Sequence, residues 1–175
     1  MPLTKIQSLG ITDGTIAAAD IASGAITAAK LASGVGGKVL QVVQATHATE
    51  VTTSSTSYVT TNLTASITPN SASNKILIII AFPGDNSTGN GGNEGGDFTI
   101  FRGASTNLLT RGGDTYYNSG GVNIGMSVSM NYLDSPATTS STSYTVYMKA
   151  RDATAEMKSC HNGSTGTIIL MEIAA

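Results

Sequence analysis

The stretch Val122-Asn-Ile-Gly-Met-Ser-Val-Ser-Met-Asn-Tyr-Leu133 places Val122, Ile124, Met126, Val128, Met130 and Tyr132 at every second position, with small or polar residues between most of them. A period of two is the pattern of a strand with one face in a core and the other in water. The same alternation recurs in Ser143–Ala150, through Tyr144, Val146 and Met148, and in Asp97-Phe-Thr-Ile-Phe-Arg102, which stops at Gly103. Val39–Gln44, Ser57–Ile67 and the short Asn107–Thr110 add strand signals bounded by turn residues. Lys75–Phe82 is apolar at both parities and is expected to end at Pro83-Gly84; Thr167–Ile173 is similar. Such strands belong at the centre of a sheet or against another copy of the chain. About eight strands and no amphipathic helical pattern predict an all-β fold, an antiparallel sandwich or barrel.

The 175-residue chain is long enough for one domain and an appendage. Charged residues make up only 11% and the net charge is -2, so no basic field exists to hold nucleic acid or an anionic membrane. The longest apolar run is far shorter than the roughly 20 residues that span a bilayer. The first ten residues lack the pattern of a secretory signal, which predicts a soluble chain without one. The single cysteine, Cys160, offers neither an intrachain disulfide nor a Cys-based metal spacing, and is expected to be a small packing residue.

Composition changes near Gly34-Val-Gly-Gly37, dividing the chain into 1–37 and 38–175. The first part carries Ile or Leu every five residues, at Ile6, Ile11, Ile16, Ile21, Ile26 and Leu31. A lone chain would order four residues, at roughly 1–2 kcal/mol each, for one aliphatic side chain whose full burial is worth about 1.5–3 kcal/mol. Several chains side by side reverse the balance, with Ile16, Ile21, Ile26 and Leu31 turned toward a shared axis. The spacing therefore predicts one strand of an extended, intertwined stalk; a Gly/Ser/Ala linker is the alternative. Gly14, Gly24 and Gly34 limit any helix to single turns at Ala17–Asp20 and Thr27–Lys30.

The repeat Asp13-Gly-Thr-Ile-Ala-Ala-Ala-Asp-Ile-Ala-Ser-Gly-Ala-Ile-Thr-Ala-Ala-Lys-Leu-Ala-Ser-Gly34 resembles the decapeptide repeats that bacteriophage tail fibres place before a trimeric head. Gly37–Val43, Ser66–Leu77, Tyr132–Pro136 and Ile169–Ile173 resemble head domains of small phage fibres, many from cyanophages and marine phages. The resemblance implies a homotrimeric structural virion fibre with a jelly-roll-like sandwich head, anchored at its N-terminus to another virion protein. It implies adhesion to a host surface glycan or protein, on the tail or on the capsid, and brings no catalytic site. A capsid-decorating or connector fibre is the nearest alternative, and a polysaccharide depolymerase a more distant one.

No nucleophile motif, phosphate loop or Cys/His cluster is present, so no enzyme activity and no cofactor are expected. His47 and His161 have no partner at a meaningful spacing and are expected to be surface or hydrogen-bonded residues. The carboxylate pair of a glycosidase would have to come from Asp85, Glu94, Asp97, Asp114, Asp134, Asp152 or Glu156, none of which the sequence places together. Two Gly-rich segments are expected to be exposed loops. In 84–97, oxygens of Asp85, Asn86, Asn90, Asn93, Glu94 and Asp97 are a weak candidate for Ca²⁺. In 111–121, Tyr116 and Tyr117 flanked by Asp114 and Asn118 are candidate sugar contacts, with Asn90 and Asn93 as further receptor candidates.

Overall fold

The computed structural model describes residues 16–27, 30, 37–88, 94–117 and 124–175; the side chains at 18, 87, 88, 94 and 115–117 lie outside that description. The chain divides into two units, Met1–Gly37 and Lys38–Ala175. In the first, Ala18–Asp20 is a single 3-10 turn closed by the Asp20 amide on the Ala17 carbonyl at 2.9 Å. The Asp20 carboxylate accepts from the Ala17 amide, also at 2.9 Å, so the turn is capped and goes no further. The Lys30 amide closes a second turn on the Thr27 carbonyl. Leu31 lies outside the described residues.

The second unit contains β1 (Val39–His47), β2 (Val51–Thr53), β3 (Val59–Ile67), β4 (Lys75–Thr88), β5 (Glu94–Arg102), β6 (Thr106–Asn107), β7 (Gly113–Tyr117), β8 (Ile124–Asp134), β9 (Thr142–Ala150), β10 (Ala155–Ser159) and β11 (Gly166–Ile173). All pairings are antiparallel. One sheet runs β1-β11-β4-β8, with β10 and β2 extending it beside the far part of β4. The other runs β3-β9-β5, with β6 and β7 pairing the far edge of β5. Strands from the beginning and end of the chain thus interleave in both sheets, which is the double Greek-key order of a jelly-roll sandwich. No described helix is long and apolar enough to cross a membrane.

Alternation decides the core. Ile76, Ile78 and Ile80 of β4 and Ile168 and Leu170 of β11 point inward from the first sheet. They meet Phe98, Ile100, Tyr144, Val146 and Met148 from the second, all with no measurable exposure. Phe82 and Phe98 meet edge to face with centroids 5.0 Å apart. Two polar clamps tie segments together. Asp134 of β8 takes Arg102 Nη1 at 2.9 Å and the Tyr144 hydroxyl at 2.7 Å, joining the two sheets. Burial, followed by the neighbouring Asp134 carboxylate, pushes the Tyr144 phenol far above its ordinary value, so it remains a donor. Glu172 of β11, fully buried, accepts from Gln41 Nε2, Asn70 N, Asn70 Nδ2 and Asn74 Nδ2 at 2.6–2.8 Å.

Several sequence expectations change here. The strand from Lys75 does not stop at Pro83-Gly84. Beside β4, pairing with β11 ends at Ala81 and pairing with β10 begins at Gly84. Pro83 occupies the gap, where its missing N–H costs no ladder bond on that side. The segments 84–97 and 111–121 are not simply loops: Gly84–Thr88 and Glu94–Asp97 belong to β4 and β5, and Gly113–Tyr117 is β7. The three short strands β2, β7 and β10 carry no strand signal of their own in the sequence. Cys160 is fully buried, its thiol donating to the His47 carbonyl at 3.3 Å, and burial raises its pKa. His161 pairs with Glu50 at 3.0 Å, whereas His47 Nε2 is buried without a partner.

Candidate functional site

Two surfaces of the sandwich depart from an ordinary polar exterior. The first is the outer face of the β1-β11-β4-β8 sheet. Antiparallel register places Leu133, Leu77, Met171 and Val42 side by side in one row across four strands. Leu133 is 48% exposed and Val42 56%, while Leu77 and Met171 are half-buried. The next row holds Ile79, 37% exposed, beside Ile169, with Asn131 and Gln44 at its two ends. Val39, Leu40 and Ile173 continue the patch toward the start of β1. Nine apolar side chains thus form one contiguous outer face, five of them 37–56% exposed and four half-buried. Within the first unit, Ile16, Ile21 and Ile26 are likewise 55%, 41% and 53% exposed.

The second surface lies on the outer face of the other sheet, toward the end opposite Val39. Strand direction defines that end: β4 finishes there at Thr88, β5 starts at Glu94, β7 finishes at Tyr117 and β8 starts at Ile124. Asp114, Asp97 and Lys149 stand in register on β7, β5 and β9. Arg111 bridges the first two, its Nη1 3.2 Å from Asp114 Oδ2 and its Nε 3.7 Å from Asp97 Oδ1. Arg151 Nη2 reaches Asp114 Oδ1 at 2.8 Å, and Lys149 Nζ lies 3.4 Å from Asp97 Oδ2. The Lys149 ammonium also sits over the Tyr58 ring, 4.8 Å from its centroid. Tyr58 and Tyr147 both meet Phe101, with centroids 5.8 and 4.3 Å from it. These groups surround an open cavity of about 440 Å³ lined by Tyr58, Asp97, Asn107, Leu108, Thr110, Arg111 and Lys149. Burial, reinforced by the Asp97 charge, raises the Tyr58 phenol above its ordinary pKa, keeping it protonated.

Of the sequence candidates, Asp114 is exposed and held between Arg111 and Arg151. Tyr116 and Tyr117 lie on β7, opposite Gly95 and Glu94. Asn118, Asn90 and Asn93 lie outside the described residues. Asp85 and Asn86 are buried, and the Oδ1 atom of each lacks a partner. Among the described residues no group of three or more His, Cys, Asp or Glu is placed to hold a metal. One carboxylate pair that the sequence did not reveal does come together, Asp97 with Asp114. Each of the two faces two cations.

No family model matches the chain, and no curated protein matches it. Among solved structures, the infectious bursal disease virus Gx strain structure is 15% identical with a TM-score of 0.39, covering 77% of this chain and 38% of that one. The VP2 subviral particle of the same virus is 15% identical with a TM-score of 0.35, covering 77% and 37%. The chain thus spans less than two fifths of the length of either.

Proposed function

We propose that this protein is a structural virion fibre of the tail-fibre kind, a homotrimer whose sandwich forms a head that adheres to the host cell surface. The observation that carries the proposal is the aliphatic row Leu133–Leu77–Met171–Val42 on the outside of a folded sandwich. Antiparallel sheets normally alternate, with apolar residues inside and polar residues outside. Here the central strands β4 and β11 are apolar on both faces although only one faces the core. Further copies of the chain complete the burial. Their occupancy is favoured by a face nearly free of charge and by polar Asn131 and Gln44 at its margin, the core-and-rim pattern of an interface. Ile16, Ile21, Ile26 and Leu31 at five-residue spacing supply the matching stalk contacts around the shared axis.

In this reading the N-terminal residues join another virion protein, and the end of the sandwich opposite Val39 is presented to the host. Weak individual contacts become effective because three copies bind together. Neither an enzyme activity nor a cofactor is part of the proposal. Labelled protein added to candidate host bacteria tests it: saturable cell binding without clearing of surface polysaccharide is expected. Clearing would favour a depolymerase. No binding to any host of the virus would leave a connector or capsid-decorating role.

A further inference from the structure

We infer that the cavity between Tyr58, Asp97, Asn107, Thr110, Arg111 and Lys149 is a receptor pocket for a saccharide that carries a carboxylate, such as a uronic acid unit. The inference rests on the adhesion reading for its biological meaning, but the pocket chemistry stands on its own.

The surroundings are positive within a negative chain. Arg111, Lys149 and Arg151 face Asp97 and Asp114, three cations against two carboxylates, while the whole chain carries -2. The contacts of the two cavity-lining cations with Asp97 are loose, at 3.4 and 3.7 Å. A tight charge-assisted bond is near 2.7–2.9 Å, and the structural pair Arg102–Asp134 on the same sandwich does reach 2.9 Å. The Arg111 side chain is 57% exposed. Arg111 also holds Asp114 at 3.2 Å, still longer than a tight bond, so an incoming carboxylate meets a guanidinium and an ammonium whose pairings with the protein's own acids are all stretched.

A saccharide, rather than a bare anion, fits the rest of the lining. Asp97 is 4% exposed and stands at the cavity wall as an acceptor for sugar hydroxyls. The protonated Tyr58 hydroxyl donates to the Thr110 carbonyl at 3.3 Å and retains acceptor capacity. Asn107 Oδ1 is taken by Leu109 N and Thr99 Oγ1, but its Nδ2 remains a donor. Together with Thr110, these residues add polar groups of the kind that orient a polyol. The volume of about 440 Å³ lies within the range of ligand pockets. The pocket sits toward the end opposite the point where β1 begins, and on the sheet that does not carry the aliphatic face.

Calorimetric titration of the full chain with an oligogalacturonate, and in parallel with neutral maltotriose, tests the assignment. Binding of the uronate and not of the neutral sugar is expected, weakening with salt. Arg111→Gln and Lys149→Gln are each expected to lower affinity by at least about tenfold, the loss of one charge-assisted bond, with melting unchanged. Equal binding of both sugars, no uronate binding, or undiminished binding by both folded variants would overturn it. A cell-binding arm separates the two readings. Cell binding that survives both variants and excess oligogalacturonate would overturn the pocket and leave adhesion standing. Uronate binding without any cell binding would overturn adhesion and leave the pocket standing.

Discussion

Replacing Glu172 by Gln probes the most concentrated polar network of the sandwich. The carboxylate of Glu172 has no exposure and, among the described residues, no cation partner, yet accepts four hydrogen bonds from neutral donors. Two arrive at each oxygen: Asn70 N and Asn74 Nδ2 on Oε1, Gln41 Nε2 and Asn70 Nδ2 on Oε2. A glutamine keeps one acceptor oxygen and turns an NH₂ toward the other two donors. At about 1.5–3 kcal/mol for each hydrogen bond to a charged group, the loss of two comes to about 3–6 kcal/mol. A chain of this size loses about 2–4 °C per kcal/mol, so the melting temperature should drop by about 6–24 °C. Burial raises the Glu172 pKa, but the bonds from Asn74, Gln41 and Asn70 outweigh it and hold the carboxyl below its ordinary 4.5. A depressed folded pKa gives stability that is fully present above the unfolded value and is lost as pH falls through the folded one. The gap between wild type and Glu172→Gln should therefore be full at pH 7 and shrink well below pH 4.5. Urea unfolding followed by circular dichroism at both pH values measures it. A gap under about 1 kcal/mol at pH 7, or one that grows on acidification, would contradict a charged Glu172 held by four hydrogen bonds.

Other consequences follow from the same structure. Val42→Asp with Leu133→Asp puts charge on the outer aliphatic row without touching the core; the variant should keep its far-ultraviolet spectrum but elute at a lower native mass, since burying unpaired charge is costly. Ile21→Asp with Ile26→Asp should likewise weaken assembly, measured by sedimentation, and an unchanged association constant would make the segment a linker. Gly96→Ala should cost about 1–3 kcal/mol in chemical denaturation, because its Cβ would run into the Lys149 carbonyl and lie 2.6 Å from Met157 Cγ.

The fold was legible because alternation is a local signal. Val128 and Met130, read from period two, are core residues of β8, and Tyr144, Val146 and Met148 are core residues of β9. The continuation of β4 past Pro83 is not legible in the sequence, because what permits proline there is a change of neighbour from β11 to β10, a fact of topology. The short β7 reads as loop in the sequence because Gly112-Gly-Asp-Thr-Tyr-Tyr carries turn residues, and only pairing with β5 makes it a strand. The cavity was illegible for a similar reason. Tyr58, Asp97, Arg111 and Lys149 are far apart in sequence and meet only through register. One partial signal existed: Asp97 and Lys149 each occupy the outward parity of an alternating strand, where an apolar core needs no charge.

The native mass of the purified chain separates the proposed trimer from a monomer. In the proposed trimer the outer faces of β4 and β11 and the aliphatic residues of the repeat are covered by copies of the same chain. Sedimentation equilibrium at micromolar concentration should give three times the 17.7 kDa of one chain. A stable species of 17.7 kDa under those conditions would contradict it.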